Sequence, residues 1–166
     1  MKFNRLLLAV LVLMFAVTAF AQSLPIDLNL PSNVYGAGVS YNVGGSPAIA
    51  GTGMYAHLLA DTGTYAFTVV DILPNTQPKF TVSTNIGVGI AQKIAAIKNI
   101  PIYIPTTAGI SIAGGNTGWA WSTGGMAVFS VKDNFKIMPN VRIVKSSVAN
   151  GTGYQPIIGV MFGWGQ

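Results

Sequence analysis

The chain has 166 residues, of which 51% are apolar and only 8% charged, with 20 glycines and no cysteine. Ordinary soluble domains carry about 25% charged residues, so the composition argues against a polar-coated globule, and the missing cysteine excludes a disulfide framework or an acylated thiol. The net charge of +5 includes Lys2 and Arg5, which leaves +3 on residues 22–166, and no stretch interleaves basic and aromatic residues on one face, so a nucleic-acid surface is excluded.

Residues 1–21 start with Lys2 and Arg5, run apolar from Leu6 to Val17 and close on Ala19-Phe20-Ala21. That is the basic, apolar and small-residue order of a secretion signal, and it predicts cleavage before Gln22. The apolar run is shorter than the roughly 20 residues a membrane-spanning helix needs. Residues 22–33 are bracketed by Pro25 and Pro31 and read as a lead-in on the periplasmic side. Leu24, Ile26, Leu28 and Leu30 alternate there, which leaves an extra short strand open as an alternative.

From residue 34 to residue 166 the pattern predicts eight strands. The first, Val34 to Val43, puts Tyr35, Ala37, Val39 and Tyr41 on one face and Gly36, Gly38, Ser40 and Asn42 on the other. The second (Gly53 to Ala60) and third (Thr64 to Leu73) are joined by the tight turn Asp61-Thr62-Gly63. The fourth starts at Lys79. It sets Phe80, Val82, Thr84, Ile86, Val88 and Ile90 against Thr81, Ser83, Asn85, Gly87, Gly89 and Ala91. A connection over 92–100 leads to the fifth, Ile102 to Ala113. The sixth runs from Trp119 to Val131, the seventh from Phe135 to Val148 and the eighth from Tyr154 to Trp164.

Strands near ten residues cross a bilayer when tilted, and an even number suits a closed bacterial barrel. The apolar faces suit lipid, and the small and polar faces suit a narrow lumen filled by side chains. Tyr35, Tyr41, Trp119, Trp121, Tyr154 and Trp164 fall near predicted strand ends, where aromatic girdles form. The turns at 61–63 and 132–134 and the 92–100 connection then face the periplasm. Those near 44–52, 74–78, 114–118 and 149–153 face outside. A secreted β-sandwich that binds a partner would place Lys, Glu, Arg and Asp on its outer face, and here that face is mostly Gly, Ala, Ser and Thr. Against the barrel stand Pro101, Pro105, Pro139 and Pro156, because a closed wall offers no edge for a missing donor.

Residues 34–166, with the C-terminal strand YQPIIGVMFGW, resemble the small eight-stranded outer-membrane barrels of the OmpA/OmpX type. The resemblance implies an all-β, antiparallel up-and-down barrel in the outer membrane, without cofactor. Its partners would be outer-membrane lipid and the barrel-assembly machinery. Members of that class end on an aromatic residue; here Trp164 is followed by Gly165 and Gln166. A closed barrel needs no partner to hide an edge, so a monomer is expected.

Catalytic and metal-binding patterns are thin. His57 is the only histidine, and no serine or carboxylate stands beside it in a base-and-orienter pattern. One histidine, no cysteine and four separated aspartates make no metal set. The stretch 44–53 lacks the Lys-Ser/Thr of a phosphate loop. A non-enzymatic structural or surface-interaction protein is therefore expected. A lipid-modifying barrel enzyme and a narrow channel are the lesser alternatives. Arg142 is a mid-strand charge expected to point inward, so the predicted polar lumen set is Asn42, His57, Asn85, Arg142 and Gln155.

Overall fold

The computed structural model describes residues 31–43, 48–75, 81–98, 100–132, 134–148 and 154–166. The predicted signal 1–21, the lead-in up to residue 30 with its alternative strand, the start of the fourth predicted strand at Lys79 and Phe80, and the loops 44–47, 76–80 and 149–153 lie outside the described residues. The strands are β1 (Asn33–Asn42), β2 (Ala48–Ala60), β3 (Thr64–Asn75), β4 (Thr81–Ile97), β5 (Ile100–Ala113), β6 (Asn116–Ala127), β7 (Phe129–Lys132), β8 (Phe135–Ser146) and β9 (Tyr154–Gly165).

Every pairing is antiparallel. β1 lies between β2 and β9, and β6 pairs with both β5 and β8, so the sheet closes on itself. β6 and β7 follow one register along β8, with Met126 opposite Asn140 and Phe129 opposite Ile137. They are two parts of one strand, and the molecule is an eight-stranded up-and-down barrel. Hydrogen-bonded partners traced once around the wall run Lys136, Gly163, Gly36, Met54, Val69, Gly87, Gly109, Ala120 and Ser146. The path returns to β8 ten residues along, from 136 to 146. That stagger belongs to strands tilted by about 35–45° around an interior that side chains can fill.

The four prolines fit without an edge. Pro139 lies on β8 beside the gap at Val128, where β6 stops and β7 starts. The Val128 N–H bonds instead to the Pro101 carbonyl at 3.1 Å. The ladder between β5 and β6 skips from Tyr103–Met126 to Thr106–Thr123, so it omits Pro105. Pro156 stands near the start of β9, and its carbonyl accepts from the Val43 N–H at 2.8 Å. Each proline removes one donor, and the wall gives up single ladder bonds rather than its closure.

Several predicted boundaries need correction. β2 begins at Ala48 rather than Gly53, so most of the expected 44–52 loop after residue 47 is strand. β4 continues to Ile97, and the expected 92–100 connection is largely strand. A register shift between Lys93 and Ala95 takes up the extra residue there, and this bulge is what breaks the alternation. The loop expected over 114–118 is only a turn at Gly114 and Gly115, whose φ values of +56° and +81° suit glycine.

Candidate functional site

Alternation sends each strand's residues to two environments. On β1, Val34, Ser40 and Asn42 are buried in the lumen, while Tyr35, Val39 and Tyr41 are exposed outside. The outer surface is apolar around the wall, with Val88 60% exposed, Ile49 68% and Ile110 46%. Tyr35, Tyr55, Phe135, Phe162 and Trp164 ring the end where the chain enters and leaves the barrel. Tyr35 and Tyr55 lie 5.0 Å apart, and Phe135 and Trp164 lie 5.6 Å apart. Tyr41, Trp119, Trp121 and Tyr154 stand near the opposite, loop end. There Trp121 meets Tyr154 edge-on at 6.1 Å, and the Lys145 ammonium sits 4.9 Å from the Tyr154 ring. Trp164 and Tyr154 are about 33 Å apart along β9 at ~3.3 Å per residue. Tilt reduces that to about 25 Å, the height of a barrel's apolar band. The predicted girdle residues Tyr35, Tyr41, Trp119, Trp121, Tyr154 and Trp164 thus all sit on the outer face. Tyr55, Phe135 and Phe162 join them and were missed by the sequence reading.

The lumen has two contrasting halves. At the terminal end, Val34, Met54, Tyr65, Phe67, Tyr103, Met126, Met138 and Met161 pack as one apolar cluster. The sequence reading expected mostly small and polar residues inside. Here large ones fill the lumen, because the inward phase of β3, β5, β6 and β8 carries aromatics and methionines. A cavity of about 40 Å³ remains among them.

Towards the loop end the filling turns polar. Arg142 on β8 faces Asp71 on β3, four strands away around an eight-stranded wall, so the pair spans the full diameter. Nη2 donates to Oδ1 at 2.6 Å and Nη1 to Oδ2 at 3.1 Å, a two-pronged arrangement that suits the planar guanidinium. Both side chains are almost fully buried. Arg142 Nε also donates to Asn140 Oδ1 at 3.3 Å. The Thr52 hydroxyl donates to Asp71 Oδ1 at 2.8 Å, so the Ser40 hydroxyl, 2.9 Å from Thr52, must donate to it in turn. Thr107 and Ser122 pair at 2.8 Å. Ala50, Leu73, Val144 and Ile157 form an apolar patch beside this network. A low-dielectric surrounding makes such a satisfied network strong and any missing partner expensive.

The predicted lumen set divides. Asn42, Asn85 and Arg142 are buried inside, and Gln155 is half-buried on the inward phase of β9. Asn85 and Gln155 are not the partners of Arg142. Both amide atoms of Asn85, and Gln155 Oε1, have no hydrogen-bond partner among the described residues. His57 does not belong to the lumen. It shares the outward phase of β2 with Tyr55, and its Nδ1 lies 2.8 Å from Asn33 Oδ1, which also accepts from the Tyr55 hydroxyl at 2.9 Å. The Asn33 oxygen can only accept, so Nδ1 carries the proton. No serine or carboxylate joins that group among the described side-chain hydrogen bonds. Among the described residues, no cluster of three His, Cys, Asp or Glu side chains could hold a metal. Asp71 was missed, although an acid in phase with Tyr65, Phe67 and Val69 on one strand is a signal that an inward cation must answer it.

No protein-family model matches the chain, and no curated protein matches it by sequence. Solved structures similar to the chain include two outer-membrane proteins. Neisserial surface protein A, NspA, superposes with a TM-score of 0.64 at 10% identity, covering 81% of this chain and 96% of that one. Ail, the attachment invasion locus protein of Yersinia pestis, gives 0.51 at 12% identity, covering 82% and 98%. Both are small eight-stranded outer-membrane barrels, and the chain has their fold, as its resemblance to that class implied.

Proposed function

We propose that this chain is a non-enzymatic outer-membrane barrel whose lumen is closed and whose contribution is structural or made through the connections at its loop end. The carrying observation is the apolar outer band, with Val39, Ile49, Val88, Ile90 and Ile110 exposed between two sets of aromatic residues. Water would penalise so large an apolar surface, whereas lipid accommodates it. The Asp71–Arg142 pair across the lumen supports closure over transport. NspA and Ail are a surface protein and an attachment protein by name, which favours a surface-interaction role. β9, with Phe162 and Trp164 outward near its end, is the segment we assign to the assembly machinery, and the barrel acts as a monomer.

Gel mobility of the membrane-extracted protein, with and without boiling, tests the reading together with planar-bilayer recordings. We expect a mobility shift on boiling and no unitary conductance. A protein found in the soluble fraction with no shift would overturn the membrane reading and leave the secreted sandwich ahead. A stepwise conductance would overturn the closed lumen.

A further inference from the structure

We propose that the terminal half of the lumen binds a short-chain carboxylate, roughly four to six carbons long, taken up from the terminal end. The inference is independent of the structural role assigned to the barrel. The cavity of about 40 Å³ is walled by Val34, Met54, Tyr65, Tyr103, Met126 and Met138. That space takes about three waters, and so a similar number of methylenes, before any wall moves. Its inner walls are apolar, and three of them are methionines, which yield readily to an apolar occupant.

The mouth differs from the walls. Lys93 and Lys136 line it together with Ser130, and the Lys136 ammonium donates to the Ser130 hydroxyl at 2.7 Å. Among the described residues, the cavity lining includes these two lysines and no Asp or Glu side chain. An apolar pocket with cationic groups at its entrance selects an apolar tail that ends in a negative head. Beyond the cavity, Phe67 and Val69 and then the Asp71–Arg142 pair fill the lumen, so the site is a blind end and not a passage.

The methionines supply the test. Residues 22–166 contain four, Met54, Met126, Met138 and Met161; the first three line the cavity and Met161 does not. The purified protein, residues 22–166, labelled with methyl-¹³C methionine in phosphatidylcholine nanodiscs, is titrated with hexanoate, hexanol and acetate. Single Met→Leu replacements assign the signals. Hexanoate is expected to shift the three lining methyls saturably, with a midpoint at least tenfold below that of hexanol. Met161 should move less than half as far, and acetate should give no saturable shift. Lys93→Gln, at the rim, is expected to raise the hexanoate midpoint about fivefold and leave hexanol unchanged, with heat-modifiability retained. Equal midpoints for hexanol and hexanoate would overturn the carboxylate assignment, as would an unchanged midpoint in Lys93→Gln. Parallel, unsaturable movement of all four methyls, or no movement, would overturn the site.

Discussion

The two halves of the lumen lie in one wall, with one strand tilt and one inward alternation, yet they are filled by opposite means. The loop half uses directional groups: Arg142 with Asp71, Thr52 with Ser40, Thr107 with Ser122. The terminal half relies mainly on shape, through Met54, Phe67, Tyr103 and Met138, with polar groups only at its rim. Their imperfections differ accordingly. Polar filling leaves atoms without partners among the described residues, at Asn85, Ser111 and Gln155. Apolar filling leaves space, the cavity of about 40 Å³. A fixed backbone cylinder cannot contract around its contents, so a mismatch in volume stays as a void, and a mismatch in hydrogen bonding stays as an orphaned group.

The largest effect should come from splitting the ion pair. Asp71→Ala leaves a buried guanidinium without its carboxylate and is expected to lower stability by about 3–5 kcal/mol. Arg142→Leu should lower it too, with no conductance appearing in planar bilayers. The double change Asp71→Leu with Arg142→Met should recover most of the loss, since a well-packed apolar replacement is often neutral. Urea unfolding in lipid vesicles, followed by tryptophan fluorescence, measures all three; a double variant no better than Asp71→Ala would show that the pair holds the wall by more than its charge.

Phe67→Ala probes the other half. Removing a ring that is 2% exposed should cost about 3–4 kcal/mol in the same assay and enlarge the existing cavity. A loss under 1 kcal/mol would mean that the terminal half collapses around its voids.

Asn85→Val should stabilise by about 1 kcal/mol, because it removes two buried polar atoms that have no partner among the described residues. Destabilisation of similar size would point to an ordered water bridging Asn85, beside which a void of about 10 Å³ lies. Lys145→Ala should have the smallest effect, about 0.5–1 kcal/mol, through loss of the ammonium over Tyr154 and Trp119. Either half of the lumen should be indifferent to it.

Much of the wall was readable because alternation is local. Tyr35 through Asn42 sort to their faces by phase alone, and so do Val82 through Ala91. Phase fails where a residue is inserted: the bulge between Lys93 and Ala95 made Gln92 to Ile97 look like a connection. The partner of Arg142 lay beyond the reach of pattern. Asp71 is 71 residues away, and its approach depends on the cumulative stagger of every strand between them. His57 was misassigned for a simpler reason. Polarity argued for the lumen, but its position two residues from Tyr55 put both on the outer face, where Asn33 supplies the polar partner.

The prolines of β5 and β8 flank the same strand. Pro105 stands on one side of β6 where the ladder skips, and Pro139 on the other side beside the break at Val128. Around Gly124 and Gly125, β6 therefore lacks its ladder to β5 and is held by β8, with Gly124 opposite Arg142 and Gly125 opposite Val141. The Gly124 backbone also lies so close to Val141 and Arg142 that a methyl group there would overlap their main chain. Deuterium should enter this part of the wall first, and stress on the cylinder should open it along this line, one residue from the charged bar that crosses the interior.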